Sequence, residues 1–334
     1  MITIRLCGGL GNQLFQIFST IAYSIQQQQP CVFPHSTNLG NRSTYWDTLL
    51  KSIVGFTAAN HKHKMTNESL AAIPMYREPE FNYRPLPKLN NQSINLHGYF
   101  QSYKYFEREY ATIFSIMKIS VQQSMVKSEH LYYFTPLNIL NGTPVGRLTR
   151  DLKATLPTNE LKGNSPMEDC SISNLHRCKQ NENSVHTISM HFRLGDYKQL
   201  PDHHPVMPYH YYDNALQHIL SKRQNGEPIR VLYFCEAEDD AIVYKMIRRL
   251  EQSNQSNIEF VKVDDAISDW KQMLLMSTCD DNIIANSSFS WWGAHLNANP
   301  DKIVCYPNVW FGQKLAHHDT SDLCPQSWSK IALL

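Results

Sequence analysis

The sequence predicts an α/β protein built from parallel sheets. A strand, glycine loop, helix and second strand open the chain, strands and helices alternate regularly beyond residue 187, and the composition suits a large buried core. With 334 residues, of which 42% are hydrophobic and 18% charged, the chain is long enough for two domains of ordinary size. The boundary is expected near 183/184, separating residues 1–183 from 184–334. The Asn-, Ser-, Thr-, Lys- and Glu-rich stretch 140–183 is read as a linker or surface insertion.

Ile2, Ile4 and Leu6 alternate with Thr3 and Arg5, the period of a half-buried strand. The glycines Gly8, Gly9 and Gly11 follow, then Leu14, Phe18, Ile21, Ala22 and Ile25 at helical spacing, and Cys31-Val32-Phe33 reads as a second strand. Between Asn38 and Tyr133 the periodicity is poor, with Pro74, Pro79, Pro85 and Pro87 marking loops, and only Ile94 to Phe106 stands out.

The second half is more regular. Strands are expected at Ile188–Phe192, Val231–Cys235, Ile258–Val263, Ile283–Ala285 and Ile303–Tyr306, the last taken as the final strand. Helices are expected after Pro208, over Ile242 to Leu250, over Trp270 to Ser277 and over Ser290 to Asn297. Such alternation marks a doubly wound domain, whose ligand crevice lies outside the carboxyl ends of the strands.

Charge narrows the function. Lys and Arg number 31 against 30 Asp and Glu, a net +1, so no basic field exists to hold nucleic acid through its phosphates. No apolar run approaches membrane-spanning length and the first six residues do not resemble a signal peptide. A cytoplasmic or soluble protein is expected, or one of a secretory lumen had an amino-terminal anchor been removed. The N-x-Ser/Thr sequons at Asn41, Asn67, Asn91, Asn141 and Asn254 are read as chance in an Asn-rich sequence, and Asn286, also in a sequon, should stay bare as a candidate site residue. Eight cysteines form no CxxC pair and are too sparse for a disulfide scaffold; only Cys170 and Cys178, in a polar stretch, are placed to pair. The histidines at 203, 204, 210, 317 and 318 lack the spacing of a zinc site, and no metal is expected.

Two polar loops fall at strand carboxyl ends and should face one crevice: His191 to Tyr197, and Asn286 to Ser290. The second, with Asn286, Ser287, Ser288, Phe289 and Ser290 at a helix start, offers hydroxyls and unpaired backbone N–H groups to a phosphate; alternatively Ser287 or Ser290 only caps the helix. Arg193 lies on the same strand face as His191 and has the planar fork that grips a diphosphate, or else forms a surface pair with Asp196. His191 reads as a structural imidazole or a catalyst. The Gly8 to Asn12 loop is neither a Walker A motif nor a dinucleotide fingerprint, yet Gly11 allows close backbone approach and Asn12 offers donor and acceptor. Of the adjacent Trp291 and Trp292, at least one should be core.

Taken together, the motifs resemble the α-1,2-fucosyltransferases of glycosyltransferase family 11. The segments are Gly8 to Gln16, Gly98-Tyr99-Phe100-Gln101-Ser102, His191 to Tyr197, and Asn286 to Ala294. The resemblance implies a GT-B-like fold with two Rossmann-like domains facing a central cleft, the amino-terminal one on the acceptor side and the carboxy-terminal one binding GDP-fucose. It implies inverting, metal-independent transfer of L-fucose from GDP-fucose to a terminal galactose hydroxyl, with no other cofactor. Arg193 would bind the diphosphate, Asn286 to Ser290 the nucleotide's phosphates, and Gly11 and Asn12 would lie near the donor. Asp196 and His191 are candidate bases, and a loose transition state would need none. The family's usual Ser-Asp-Asp reads Cys235-Glu236-Ala237-Glu238-Asp239-Asp240 here. A GDP-fucose enzyme acting on another sugar or on protein, and a silent sugar-binding protein, are the competing readings.

Overall fold

The computed structural model describes residues 1–61, 65–136, 185–223, 228–254 and 257–333. The 140–183 stretch, Cys170, Cys178 and the expected 183/184 boundary lie outside them.

The fold is mixed α/β, and the larger of its sheets is wholly parallel. Six strands, β6 (His186–His191), β7 (Ile229–Phe234), β8 (Ile258–Lys262), β9 (Asp281–Ile283), β10 (Val304–Pro307) and β11 (Ser329–Ile331), are ordered β11-β10-β9-β6-β7-β8. Relabelled from β6, this is the order 3-2-1-4-5-6 of doubly wound nucleotide folds, with the chain reversing direction across the sheet between β6 and β9. Apolar residues fill the strands because both faces are covered; Ile188, Met190, Val231, Leu232 and Ile283 are fully buried. Helices Tyr209–Lys222, Asp240–Ser253, Asp269–Met276 and Ser288–His295 connect successive strands from β6 to β10.

The amino-terminal sheet is smaller. β1 (Ile2–Ile4), β5 (Ile94–His97) and β4 (Met75–Arg77) run parallel in that order, and a hairpin of β2 (Asn38–Leu39) and β3 (Arg42–Ser43) stands apart. The strand expected at residues 31–33 is reduced to single bridges, Cys31 with Ile2 and Phe33 with Thr57, because the two residues turn to different partners.

Three further boundaries differ from the sequence reading. β9 begins at Asp281, whose buried carboxylate takes the Arg223 guanidinium and the His186 ring, so an acidic residue hides the start of the strand. The last helix begins at Ser288, two residues early, because Ser287 stays extended and its hydroxyl accepts the Phe289 N–H. β11 follows the strand expected to be last; only three residues long, it carries too little pattern to be seen.

The main apolar core belongs to both sheets. Phe15 and Phe18 of helix Leu10–Gln27 pack on Trp291 and Trp292 with ring centroids 4.4–5.1 Å apart, and Phe106 stacks on Trp292 at 5.4 Å. Both tryptophans are fully buried, so neither meets a ligand. Polar bonds stitch the same seam: Gln123 Nε2 donates to Ser277 Oγ at 2.8 Å and to the Leu296 carbonyl at 2.9 Å. Among the described residues no helix is long and apolar enough to cross a membrane.

Candidate active site

Beside that seam the carboxyl ends of β6, β7 and β9 open into a cleft of about 910 Å³, walled on the other side by residues of the amino-terminal half. The β6–β9 pairing, with Met190 opposite Ile283, brings the two polar loops together although about ninety residues separate them. Gly11, Asn12, His191, Arg193, Asp196, Asn286, Ser287, Ser288 and Phe289 all line the cleft. Ser290 does not, because its side chain is buried and its hydroxyl turns back to the Ser287 carbonyl at 3.4 Å.

Two helix amino-termini converge here. Helix Leu10–Gln27 starts behind Gly9, with no side-chain cap, and helix Ser288–His295 starts behind Ser287. Unpaired N–H groups at each start carry about half a positive charge, so their meeting makes a field suited to an anion. Gly8 adopts φ +79°, conformational space that favours glycine, and so turns the chain from β1 into the helix. Gly11 then lies against the Ser288 backbone with no room for a Cβ.

Asn12 ties the two starts together. Its Oδ1 accepts from Gln101 Nε2 at 2.8 Å and from the Ser288 hydroxyl at 2.7 Å, which leaves its Nδ2 as the group free to donate. The loop carrying Gln101 is held in turn by Glu78, whose carboxylate accepts the N–H groups of Tyr99 and Phe100 at 2.7–3.0 Å.

Arg193 is largely buried and forked between two carboxylates, Glu236 and Asp196, the latter at 2.5 Å. Burial pulls its pKa down, but the two carboxylates outweigh burial and hold it above the ordinary value. The Asp196 pair is therefore formed, and an arriving phosphate would exchange with a carboxylate for one arm of the fork. Arg42, from the β2–β3 hairpin, lies 3.6 Å from Asp196 across the cleft. Glu236, Glu238 and Asp239 cluster closely enough to hold a cation, but Glu236 is tied to Arg193 and Asp239 to Lys198 at 2.6 Å.

His191 is buried and its Nδ1 has no partner. Burial, reinforced by the Arg193 charge, pushes its pKa down to about 3. A neutral imidazole beside Phe289, with ring centroids 5.5 Å apart, is suited to hydrogen bonding rather than to taking a proton in the free protein. A stability profile tests this. The unfolded imidazole titrates near 6.5 and the folded one near 3, so the unfolded state binds more protons between those values and His191 makes stability rise with pH across that window. Denaturant unfolding from pH 3 to pH 7 should show that rise, and His191→Gln should flatten it.

Asn286 serves the scaffold as well as the cleft: its Nδ2 donates to the carbonyls of Pro205 and Trp310 at 3.0 and 3.1 Å, while its buried Oδ1 has no partner. Residues that the sequence reading passed over complete the walls. Tyr45 bonds to Asp269 from the opposite side, and Phe81, Phe311 and His318 line the far end. Arg42 followed the one usable signal, the turn pair Gly40-Asn41; Tyr45 and Phe81 had none.

The sequence pattern described as "Glycosyl transferase family 11" matches residues 167–331, which include both polar loops of the cleft. Over its whole length the chain is also similar to two curated proteins of Escherichia coli. It is 28% identical over 352 residues to the O-antigen biosynthesis glycosyltransferase WbnK, covering 98% of this chain and 99% of that protein. It is 26% identical over 346 residues to an alpha-1,2-colitosyltransferase, covering 99% of each. Among solved structures, a mutant of Arabidopsis thaliana FUT1 in complex with GDP aligns with a TM-score of 0.41 at 10% identity, over 91% of this chain and 69% of that one.

Proposed function

We propose that this protein is a glycosyltransferase, a galactoside α-1,2-fucosyltransferase that moves L-fucose from GDP-fucose to a terminal galactose hydroxyl with inversion and without a metal. The observation that carries the reading is the convergence of Arg193 with two helix amino-termini in one cleft. Breaking the sugar–diphosphate bond builds negative charge on the β-phosphate, and fixed donors already aimed at that charge stabilise it where another enzyme would use a metal ion. On this reading Arg193 grips the diphosphate, the backbone N–H groups of Ser288 and Gly11 receive its oxygens, and Asn12 Nδ2 donates toward the donor sugar. Residues 184–334 form the donor side and 1–183 the acceptor side of a GT-B pair. Asp196, solvent-exposed and paired to Arg193, is better placed than His191 to receive the acceptor's proton.

A second reading is favoured by one comparison: the similarity to an alpha-1,2-colitosyltransferase fits a cleft whose donor sugar is colitose, the 3-deoxy analogue of L-fucose. Both readings share the guanine nucleotide. In a thermal-shift panel of GDP, UDP, ADP and GDP-fucose, each with and without EDTA, the melting temperature should rise for GDP and GDP-fucose alone, and equally with chelator. A rise of the same size with UDP or ADP, or its loss with EDTA, would overturn the reading.

A further inference from the structure

From Arg193 the cleft runs in two directions of different chemistry. One arm, at the ends of β7 and β8, is polar, with Asp265, Ser268, Asp269 and Gln272 on its wall. The other is a ladder of rings. The Arg193 guanidinium lies 5.2 Å from the Tyr197 ring, and Tyr197 stacks on His204 at 4.7 Å with planes 20° apart. His204 leads to Phe311 at 5.7 Å, and Phe311 meets Phe81 at 5.0 Å and His318 at 5.2 Å. These five side chains all line the cleft, and none is fully buried. Phe81 comes from the amino-terminal half and the others from the carboxy-terminal half, so the ladder closes across the cleft and an acceptor held there rests on both halves rather than on residues 1–183 alone.

We infer that this ladder is the acceptor subsite and takes an uncharged hexopyranoside, the terminal β-galactoside of the acceptor glycan. The inference rests on the proposed function and adds the place and the chemistry of acceptor binding. Two arguments carry it. First, in a displacement with inversion the nucleophile enters opposite the leaving diphosphate, which puts the acceptor on the side of the donor sugar away from the phosphates. Guanine presents N–H donors along its edge, which suit the carboxylates of the polar arm. Second, galactose has one face made of C–H groups, which packs on aromatic rings, and a rim of hydroxyls, which bond to imidazole nitrogens. Burial lowers the pKa of His204 and of His318, so both rings are neutral donor–acceptors rather than cations at neutral pH. None of the five rings carries a charge, and Arg193 and Asp196 stand at the Tyr197 end, which leaves the far end of the ladder to a neutral ligand.

Lactose is the probe. Phe311→Ala and Phe81→Ala should each raise its KM roughly tenfold, the loss expected for one aromatic contact, with kcat changed little, and Phe311→Trp should restore most of the lost affinity. The KM for GDP-fucose and the melting shift with GDP should stay at wild-type values in each variant, which also shows that the variants fold. Saturation-transfer NMR with GDP present gives a readout independent of turnover: signal on the galactose protons of lactose in the wild type, lost in Phe311→Ala. An unchanged lactose KM, or a raised GDP-fucose KM with a lost GDP shift, would overturn the assignment. A wild-type protein that shifts with GDP yet shows no lactose signal would overturn the ladder alone, whereas one that does not respond to GDP would overturn the transferase reading beneath it.

Discussion

Arg193→Lys should lower kcat by two to three orders of magnitude while leaving the melting temperature close to that of the wild type. Lysine keeps the charge, so the comparison isolates the planar fork. In the free protein that fork holds Asp196 on one arm and Glu236 on the other, and a diphosphate needs two arms at once. An ammonium supplies a point charge on a flexible stem, and the loss of one aligned donor to a developing oxyanion costs about 2.7–4 kcal/mol. Stability should barely respond, because the ion pairs are partly exposed and such pairs contribute about 0–1 kcal/mol. Single-turnover kinetics with saturating GDP-fucose, run beside a melting curve, checks both halves. Near-normal turnover with an unchanged curve would remove Arg193 from the chemistry.

Gly11→Ala should lower both stability and activity. A Cβ on Gly11 would lie 2.4–2.6 Å from the Ser288 carbonyl and the Phe289 nitrogen. Both neighbours are backbone, so no side chain can rotate aside, and one whole helix start must move. Overpacking of this kind costs about 1–3 kcal/mol, with the upper end expected where the obstacle is main chain. The same displacement would break the 2.7 Å bond from the Ser288 hydroxyl to Asn12. The melting temperature should therefore fall by several degrees, and the residual folded enzyme should show weakened GDP binding in a thermal-shift titration. Wild-type stability in this variant would contradict the close approach of the two helices.

These two residues also illustrate what a sequence can and cannot disclose. Arg193 was legible because an alternating strand ends in a polar loop, and such a loop belongs at the ligand crevice of a parallel sheet. The loop 286–290 was legible for the same reason, though its helix start was misjudged by two residues, since Ser287 and Ser290 cap equally well on paper. Asp281 was not legible as a strand residue, because its burial depends on Arg223 and His186 arriving from elsewhere. The amino-terminal wall was harder still. Tyr45 reaches Asp269 across 224 residues of sequence, and nothing near either of them announces the other. Phe81 sits in a stretch without secondary-structure period, where only the tertiary fold shows that it faces Phe311. Local pattern reports which residues are available for chemistry; which of them face each other is decided by topology.

The aromatic seam between the sheets has a consequence for how a ligand is received. Phe15, Phe18 and Phe106 from one half and Trp291 and Trp292 from the other belong to a single packed cluster, and close-packed interiors resist sliding. A chain joined in this way does not swing about a hinge at that seam to bring its donors into place. Arg193, Asn12 and the two helix starts are assembled when the polypeptide folds, so their ordering entropy is spent before any nucleotide arrives. Apart from the carboxylate that a phosphate displaces from Arg193, binding then has little rearrangement to drive, and most of its free energy is left for holding the sugar where it reacts.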